Sequence, residues 1–383
     1  MIGRQPALPS ILEHSPTRVV FGAGELAHLG ASAAELGSAR VLLVTDPGIV
    51  AAGHVERAVA SLQGAKLSVV VFDGVEENPT TEHVAAGLHV AQEGAFDLLV
   101  AVGGGSAMDC CKGINILLTN GGQIADYWGT DKTTQALLPM IAVPTTAGTG
   151  SEAQSFALIC DPKTHQKMAC GDRRLPTEGG LRPRVAILDP DLTLSQPQLV
   201  AASAGMDALA HAVETAGARN RNDNSRAFSR EAWNLLEPSY QRAVRDPSDD
   251  EARSMMLLGA HLAGAAIENS MLGAAHACAN PLTARCGLTH GLAVGLLLPH
   301  VVRFNAAEGG NPYEDLGDGA ALAERIEILL DAAGLPRRLS ECGVKRESLE
   351  MLAEEASRQW TASFNPRPVG RDELFEIYLS ALD

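Results

Sequence analysis

The run Leu98-Leu-Val-Ala-Val-Gly-Gly-Gly-Ser106 passes from five apolar residues into three glycines and a serine. The residues that follow, Ala107-Met-Asp-Cys-Cys-Lys-Gly-Ile-Asn-Ile-Leu-Leu118, have helical composition. An apolar run of strand length feeding a helix marks a strand covered on both faces, as in a parallel sheet with helical crossovers. Three glycines at the turn let backbone N–H groups approach a pyrophosphate with no Cβ in the way. The helix N-terminus adds partial positive charge there. The spacing is not GxGxxG, and taken alone the loop reads as an ordinary tight strand-to-helix turn.

The same alternation extends to either side. Short β-branched runs at 18–21, 41–45, 67–72 and 140–143 predict further strands, and the stretches 54–63 and 81–93 predict helices between them. Near residue 190 the texture changes, and helical periods dominate to the C-terminus. Helices are expected over 196–217, 223–243, 249–279 and 290–306, with more beyond 320. A chain of 383 residues exceeds one ordinary core. The expected architecture is therefore an α/β nucleotide-binding domain over 1–190 and an all-helical domain over 191–383.

Two more segments follow strands and carry groups suited to a nucleotide. Asp46, after the run at 41–45, is placed to bind ribose hydroxyls and repel a 2′-phosphate, or simply to cap the next helix. Pro144-Thr-Thr-Ala-Gly-Thr-Gly-Ser-Glu152 offers hydroxyls and glycines for a second contact, or serves as a flexible connection.

Composition narrows the partners. The formal net charge is −16 and no Lys/Arg-rich stripe interrupts it, which disfavours nucleic acid and anionic membranes. No apolar run approaches the roughly 20 residues that span a bilayer. The opening residues lack the charged and apolar regions of a secretory signal, so a cytoplasmic protein is expected. Seven cysteines without a CxxC pair argue against a disulfide framework and against a thiolate zinc site.

In the helical half, Asp207 and His211 stand at i and i+4 and share one helix face. His276 is expected near the end of a Gly/Ala-rich helix that Pro281 interrupts, and His290 at the entry to the next. A carboxylate with three imidazoles suits Fe²⁺ or Zn²⁺ with a position left open, and these ligands do not choose between the two. By composition alone His261 and His300 are equally eligible.

Seven motifs taken together carry a resemblance. They are VVFGAGEL at 19–26, VGGGSAMDCCK at 102–112, PTTAGTGSE at 144–152, LDPDLT at 188–193, GMDALAHAVE at 205–214, HGLAVGLLLPHVVRFN at 290–305 and FNPRP at 364–368. Over nearly its whole length the chain resembles the iron-dependent (group III) alcohol dehydrogenases. The resemblance implies a dehydroquinate synthase-like architecture, in which a Rossmann-like dinucleotide-binding domain joins an all-helical metal-binding domain. It further implies NAD as cofactor, Fe²⁺ (alternatively Zn²⁺), a homodimer, and a small alcohol or diol exchanged with its aldehyde or ketone.

It also implies that Asp207, His211, His276 and His290 hold the metal, leaving His261 and His300 structural. Asp46 matches the family's ribose-selecting carboxylate. Asn78, Gly103, Gly104, Gly105, Ser106, Thr145, Thr146, Thr149 and Lys167 match dinucleotide-contacting positions. Three places depart from the family pattern. Asn280 replaces a histidine four residues after His276, Ala107 stands where proline is usual, and the segment 170–181 is long. Asn280 is expected to face the substrate or, alternatively, to cap the helix before Pro281. Rival readings are a hydroxy-acid or polyol dehydrogenase or transhydrogenase on the same scaffold, and a catalytically silent nucleotide-binding protein.

Overall fold

Apolar runs in the first half form strands β1 (Arg18–Phe21), β2 (Arg40–Val44), β3 (Ser68–Phe72), β4 (Leu98–Gly103), β5 (Gly129–Thr130), β6 (Met140–Pro144), β7 (Phe156–Cys160), β8 (Lys167–Gly171) and β9 (Val185–Leu188). The structure is a computed structural model that describes residues 6–164, 166–307 and 310–383. The first five residues of the stretch read for a signal lie outside it. The chain divides into two units, one reaching to Thr146 and resuming over Gly150–Gln196, the other joining Ala147–Thr149 to Pro197–Asp383.

In the first unit six strands lie in the order β1-β9-β6-β4-β2-β3, and every neighbouring pair is parallel. Alternate residues of β2 and β4 enter opposite cores. Leu42, Val44, Leu99 and Ala101 face one, while Val41, Leu43, Leu98, Val100 and Val102 face the other. Helices α1 (Leu29–Glu35) and α3 (His54–Gly64) cover the second face through Leu29, Ala33, Val55, Ala58 and Leu62. Helices α4 (Thr81–Gln92) and α5 (Gly105–Asn120) cover the first through Val84, Met108 and Ile114. The short α2 (Pro47–Ala51) follows β2.

From β2 the chain steps outward to β3, then returns to place β4 on the other side of β2. The carboxyl ends of β2 and β4 therefore flank the point where strand order reverses, the usual ligand crevice of an open parallel sheet. Asp46 follows one of these strands and Gly104 the other.

A second sheet, β5-β8-β7, was not anticipated, nor was β9. Strands β7 and β8 form an antiparallel hairpin across a turn where Asp161 Oδ1 accepts from the Lys163 and Thr164 N–H groups. Its apolar residues alternate too briefly to stand out from the surrounding loops.

The second unit is helical: α6 (Gln198–Gly217), α7 (Asp223–Arg245), α8 (Asp250–Asn269), α9 (Ala274–Cys286), α10 (His290–Ala306), α11 (Gly319–Ala332), α12 (Leu349–Ser357) and α13 (Arg371–Ser380). Two expectations are corrected here. The single helix expected over 249–279 is broken at 270–273. Asn269 and Ser270 turn their side chains back onto the Ala265 and Ala266 carbonyls, at 2.8 and 2.9 Å, and close α8. His276 is the third residue of α9 rather than near its end, and the helix runs through Pro281. The missing proline N–H forfeits one helical bond, about 3 kcal/mol in an isolated helix. Burial of Ala274–Ala279, Pro281 and Leu282 holds the turn together. Among the described residues no helix is long and apolar enough to cross a membrane.

Candidate functional site

Three helices of the second unit bring the metal-ligand candidates together. Asp207 and His211 lie one turn apart on α6, and both are buried. His290 opens α10, and the next residue explains how that end reaches α6. A Cβ on Gly291 would stand 2.0 Å from the Ser203 carbonyl oxygen and 3.2 Å from Asp207 Cβ. Helix α9 supplies His276 from its first turn.

Around Asp207 Oδ1 stand His276 Nε2 at 3.4 Å, His211 Nε2 at 3.5 Å and His290 Nε2 at 3.8 Å. Ligand atoms of Asp207, His276 and His290 all fall within 4.8 Å of one another. The His211 and His276 rings stack at 4.9 Å. A four-coordinate ion at roughly 2.1 Å from each donor would hold neighbouring donors about 3.4 Å apart. The distances to Asp207 Oδ1 fit that spacing, while His211 stands outside the mutually close group of Asp207, His276 and His290. Asp207 Oδ1 and His276 Nε2 are buried with no hydrogen-bond partner, an arrangement that costs about 1–3 kcal/mol per group unless something occupies the space. A nitrogen and oxygen donor set of this kind suits Fe²⁺ or Zn²⁺. His261 and His300 fall outside this group.

Glu214 was missed by sequence reading. It lies three residues beyond His211 and seven beyond Asp207, so it shares their helix face. One of its oxygens accepts the Ala275 N–H at 2.7 Å and the other is hydrogen-bonded to His276 Nδ1. A carboxylate on Nδ1 fixes the tautomer that leaves the Nε2 lone pair facing the centre. The i, i+4, i+7 spacing within GMDALAHAVE was the available signal.

The buried charges compensate one another, and an ion that takes His276 Nε2 displaces the proton held there. Burial alone would raise the Asp207 carboxyl, but His211, His290 and His276 together hold it well below the usual carboxylate range. Burial, with the neighbouring His276, lowers His211 against the pull of Asp207. Burial also works to lower His276, yet Glu214 and Asp207 prevail and raise it to about 9.

Asn280 stands one turn beyond His276, inside α9 rather than at its end, so it caps nothing. Its Nδ2 donates to Gln359 Oε1 at 3.1 Å.

In the first unit, the crevice between β2 and β4 gathers part of the nucleotide set. Asp46 caps α2, with Oδ1 accepting the Ile49 N–H at 3.1 Å. Its Oδ2 lies 3.4 Å from where a Gly103 Cβ would stand, so capping occupies one oxygen and leaves the other at the glycine loop. Gly103 has φ +155, and a Cβ there would come within 2.7 Å of Ala107 Cβ, so the position requires glycine. Gly104 precedes α5, no side chain caps that helix, and Gly105 and Ser106 begin it.

Thr145 donates its N–H to Gly103 O at 3.0 Å and buries an unpartnered Oγ1. The Thr146 side chain lies 3.3 Å from a Gly104 Cβ position. Asn78 takes a left-handed φ of 54° in the loop after β3. Lys167 opens β8 on the smaller sheet, and Thr149 groups with the helical unit. Lys112, also unanticipated, is fully buried in α5. Its Nζ donates to Ser151 O, Ser151 Oγ and Phe156 O at 2.7–2.8 Å, which ties the glycine-loop helix to the segment after Gly150.

Comparison with known proteins places these features in context. Residues 16–190 match the family model described as iron-containing alcohol dehydrogenase, and residues 201–382 match its C-terminal counterpart. The chain is 35% identical to alcohol dehydrogenase 4 of Schizosaccharomyces pombe over 387 residues, covering 98% of this chain and 90% of that protein. It is 36% identical to 1,3-propanediol dehydrogenase of Citrobacter freundii over 378 residues, with 94% and 96% covered. Among solved structures it is similar to sulfoacetaldehyde reductase from Bifidobacterium kashiwanohense in complex with NAD⁺. There the TM-score is 0.86 and the identity 30%, with 99% of each chain covered.

Proposed function

The chain belongs to the iron-containing alcohol dehydrogenase family, and we propose that it uses NAD and a divalent metal, Fe²⁺ before Zn²⁺, to interconvert a small alcohol or diol with its aldehyde or ketone. The observation that carries this reading is the convergence of three imidazole nitrogens on Asp207 Oδ1, with that oxygen and His276 Nε2 buried and outside any hydrogen bond. A homodimer in the cytoplasm belongs to the same reading and rests on the family resemblance. The 1,3-propanediol relative supports a diol, and the NAD⁺ complex of the reductase supports NAD.

When bound, the metal supplies Lewis acidity toward a substrate oxygen and the nicotinamide supplies a hydride acceptor. Asp207, His211, His276 and His290 hold the ion. Glu214 keeps a proton on His276 Nδ1, so that Nε2 stays available. The Gly103–Ser106 turn and the N-terminus of α5 orient the pyrophosphate, with Thr145, Thr146, Thr149, Asn78 and Lys167 as further contacts. Asp46 Oδ2 selects the ribose by attracting its hydroxyls. Asn280 orients the substrate, since an amide does not ionise and passes no proton at working pH.

The test is NADH formation after loading with Fe²⁺ or Zn²⁺, across simple alcohols, diols and hydroxy acids. Turnover of alcohols or diols is expected. Turnover confined to hydroxy acids would move the enzyme to that substrate class. None at all in the metal-loaded chain would leave a silent nucleotide-binding protein.

Two variants examine single residues. Asp46→Gly removes the charge that repels a 2′-phosphate and is expected to raise the NADP-to-NAD ratio of kcat/KM by about tenfold or more. The lost cap should lower stability by only a few tenths of a kcal/mol, since glycine is itself tolerated at a helix N-cap. An unchanged ratio with only the stability loss would make Asp46 a cap and nothing else. Asn280→His introduces a group with an ordinary pKa of ~6.5. It is expected to add a titration near neutral pH to kcat/KM and to reorder the substrates. A pH profile and ranking both identical to the parent's would remove Asn280 from the substrate's surroundings.

A further inference from the structure

The FNPRP motif at 364–368 has no part in the chemistry described so far, yet its asparagine reaches the end of the helix that carries His276. Asn365 is almost completely buried. Its Oδ1 accepts the Ala274 N–H at 3.2 Å, at the first residue of α9. Glu214 takes the next N–H, that of Ala275. The two free N–H groups that open α9 are thus held by two side chains distant in sequence, and the third residue is His276.

The other contacts of Asn365 run to α10. Its Nδ2 donates to Asn305 Oδ1 at 2.7 Å, and Asn305 Nδ2 donates back to Asn365 Oδ1 at 3.1 Å. Asn305 lies in the last turn of α10, the helix that begins with His290, and Tyr313 Oη accepts its Nδ2 at 2.8 Å. The rest of the motif locks this arrangement. Asn365 Nδ2 also donates to Arg367 O at 2.7 Å, and the Arg367 guanidinium lies 3.9 Å over the Phe304 ring while donating to Phe304 O. On the other side, a Cβ on Gly273 would stand 3.0 Å from Asn365 Oδ1 and 3.1 Å from Glu214 Oε1. Only a residue without a side chain lets both acceptors close on the helix end.

We propose that Asn365 is a positioning residue for the metal centre. Through the first turn of α9 it sets where His276 Nε2 stands, and through Asn305 it joins that turn to the helix that begins with His290. A reciprocal amide pair suits the task because both partners donate and accept in a fixed plane. Buried polar networks satisfied in this way specify one geometry. The inference rests on the metal reading of Asp207, His211, His276 and His290.

The test uses the full chain and two metals as probes. Zn²⁺ affinity is measured by chelator competition, and the visible absorption of the Co²⁺-loaded chain reports ligand geometry. The unfolding temperature of the metal-free chain is followed alongside. Asn365→Ala is expected to weaken Zn²⁺ binding by roughly 10–100-fold, the range for partners that orient a metal ligand, and to change the Co²⁺ spectrum. Gly273→Ala presses on the same two acceptors and should act in the same direction. The double variant should lose less than the sum of the singles, because truncating Asn365 vacates the space the new methyl needs.

A lowered unfolding temperature with wild-type Zn²⁺ affinity and Co²⁺ spectrum would reduce Asn365 to a structural residue and overturn the proposal. If Asn365→Ala does not fold, Gly273→Ala decides alone by the same two readouts. A wild-type chain that binds neither metal overturns the metal reading and this inference together. Metal binding that is indifferent to both substitutions overturns only the inference.

Discussion

Replacing His290 with alanine is expected to strip the protein of its metal while leaving the fold in place. His290 is the most exposed of the four ligand candidates, with about a quarter of its side chain accessible, so its truncation leaves no large cavity. The remaining three donors hold an ion far more weakly, and an affinity loss of about a hundredfold or more is expected. Metal polarisation contributes several kcal/mol to the barrier, so kcat/KM should fall by roughly 10³ or more. Elemental analysis after dialysis, with circular dichroism on the same sample, reads both quantities. Full occupancy at wild-type affinity would remove His290 from the metal set. The contrast with His276 is informative. Truncating His276 takes away the partner of the buried Glu214 carboxylate, so a loss of roughly 3–5 kcal/mol in stability should accompany the loss of metal.

A comparable loss is expected from Gly291→Ala, which changes no ligand. Intrinsic helix propensity favours alanine over glycine by about 1 kcal/mol, so an isolated helix would gain. Here the new Cβ would stand 2.0 Å from Ser203 O, and ordinary contact begins at 3.4 Å, so α10 and α6 must part by up to 3.4 − 2.0 = 1.4 Å. The obstruction is backbone, one turn before Asp207, and cannot rotate aside. His290 is the neighbouring residue and moves with the helix. Misplacement by about 1 Å typically costs on the order of 10²-fold in rate, and overpacking lowers stability by about 1–3 kcal/mol. Parallel measurements of metal affinity, kcat/KM and thermal unfolding separate the two effects. Wild-type metal affinity in Gly291→Ala would show that the close approach of α10 to α6 does not set the centre.

These two residues differ in what a sequence can express. His290 stood out as a ligand candidate because imidazoles are chemically distinctive and its motif is specific, and the structure sets its Nε2 3.8 Å from Asp207 Oδ1. Gly291 lies inside that motif too, but its reason is a clearance between two helices that no local pattern expresses. The parallel sheet was legible for a similar cause, since β4 is apolar on both faces and runs straight into the glycine turn. Glu214 follows Asp207 by two helical turns, so the face it shares was computable. Its partner Ala275 N–H lies 61 residues away and was not. The break between α8 and α9 was hidden because Gly and Ala dominate both sides. What enforces it comes from Asn269 and Ser270 at one end, and from Glu214 and Asn365 at the other. Pro281 misled in the opposite sense, as a local rule overridden by burial.

The pairing of β1 with β9 also bears on how the chain is made. Arg18 aligns with Val185, so 167 residues must be synthesised before the first strand meets its neighbour. At about 5–20 residues per second, that interval is roughly 8–33 s. Until β9 emerges, the flank of β6 that it will occupy is an open row of peptide groups, and Val19, Val20 and Phe21 have no sheet to join. Unpaired edges of this kind recruit other chains. The nascent N-terminal domain is therefore most vulnerable to aggregation in the interval before residue 188 clears the ribosome, and chaperone demand should be greatest there.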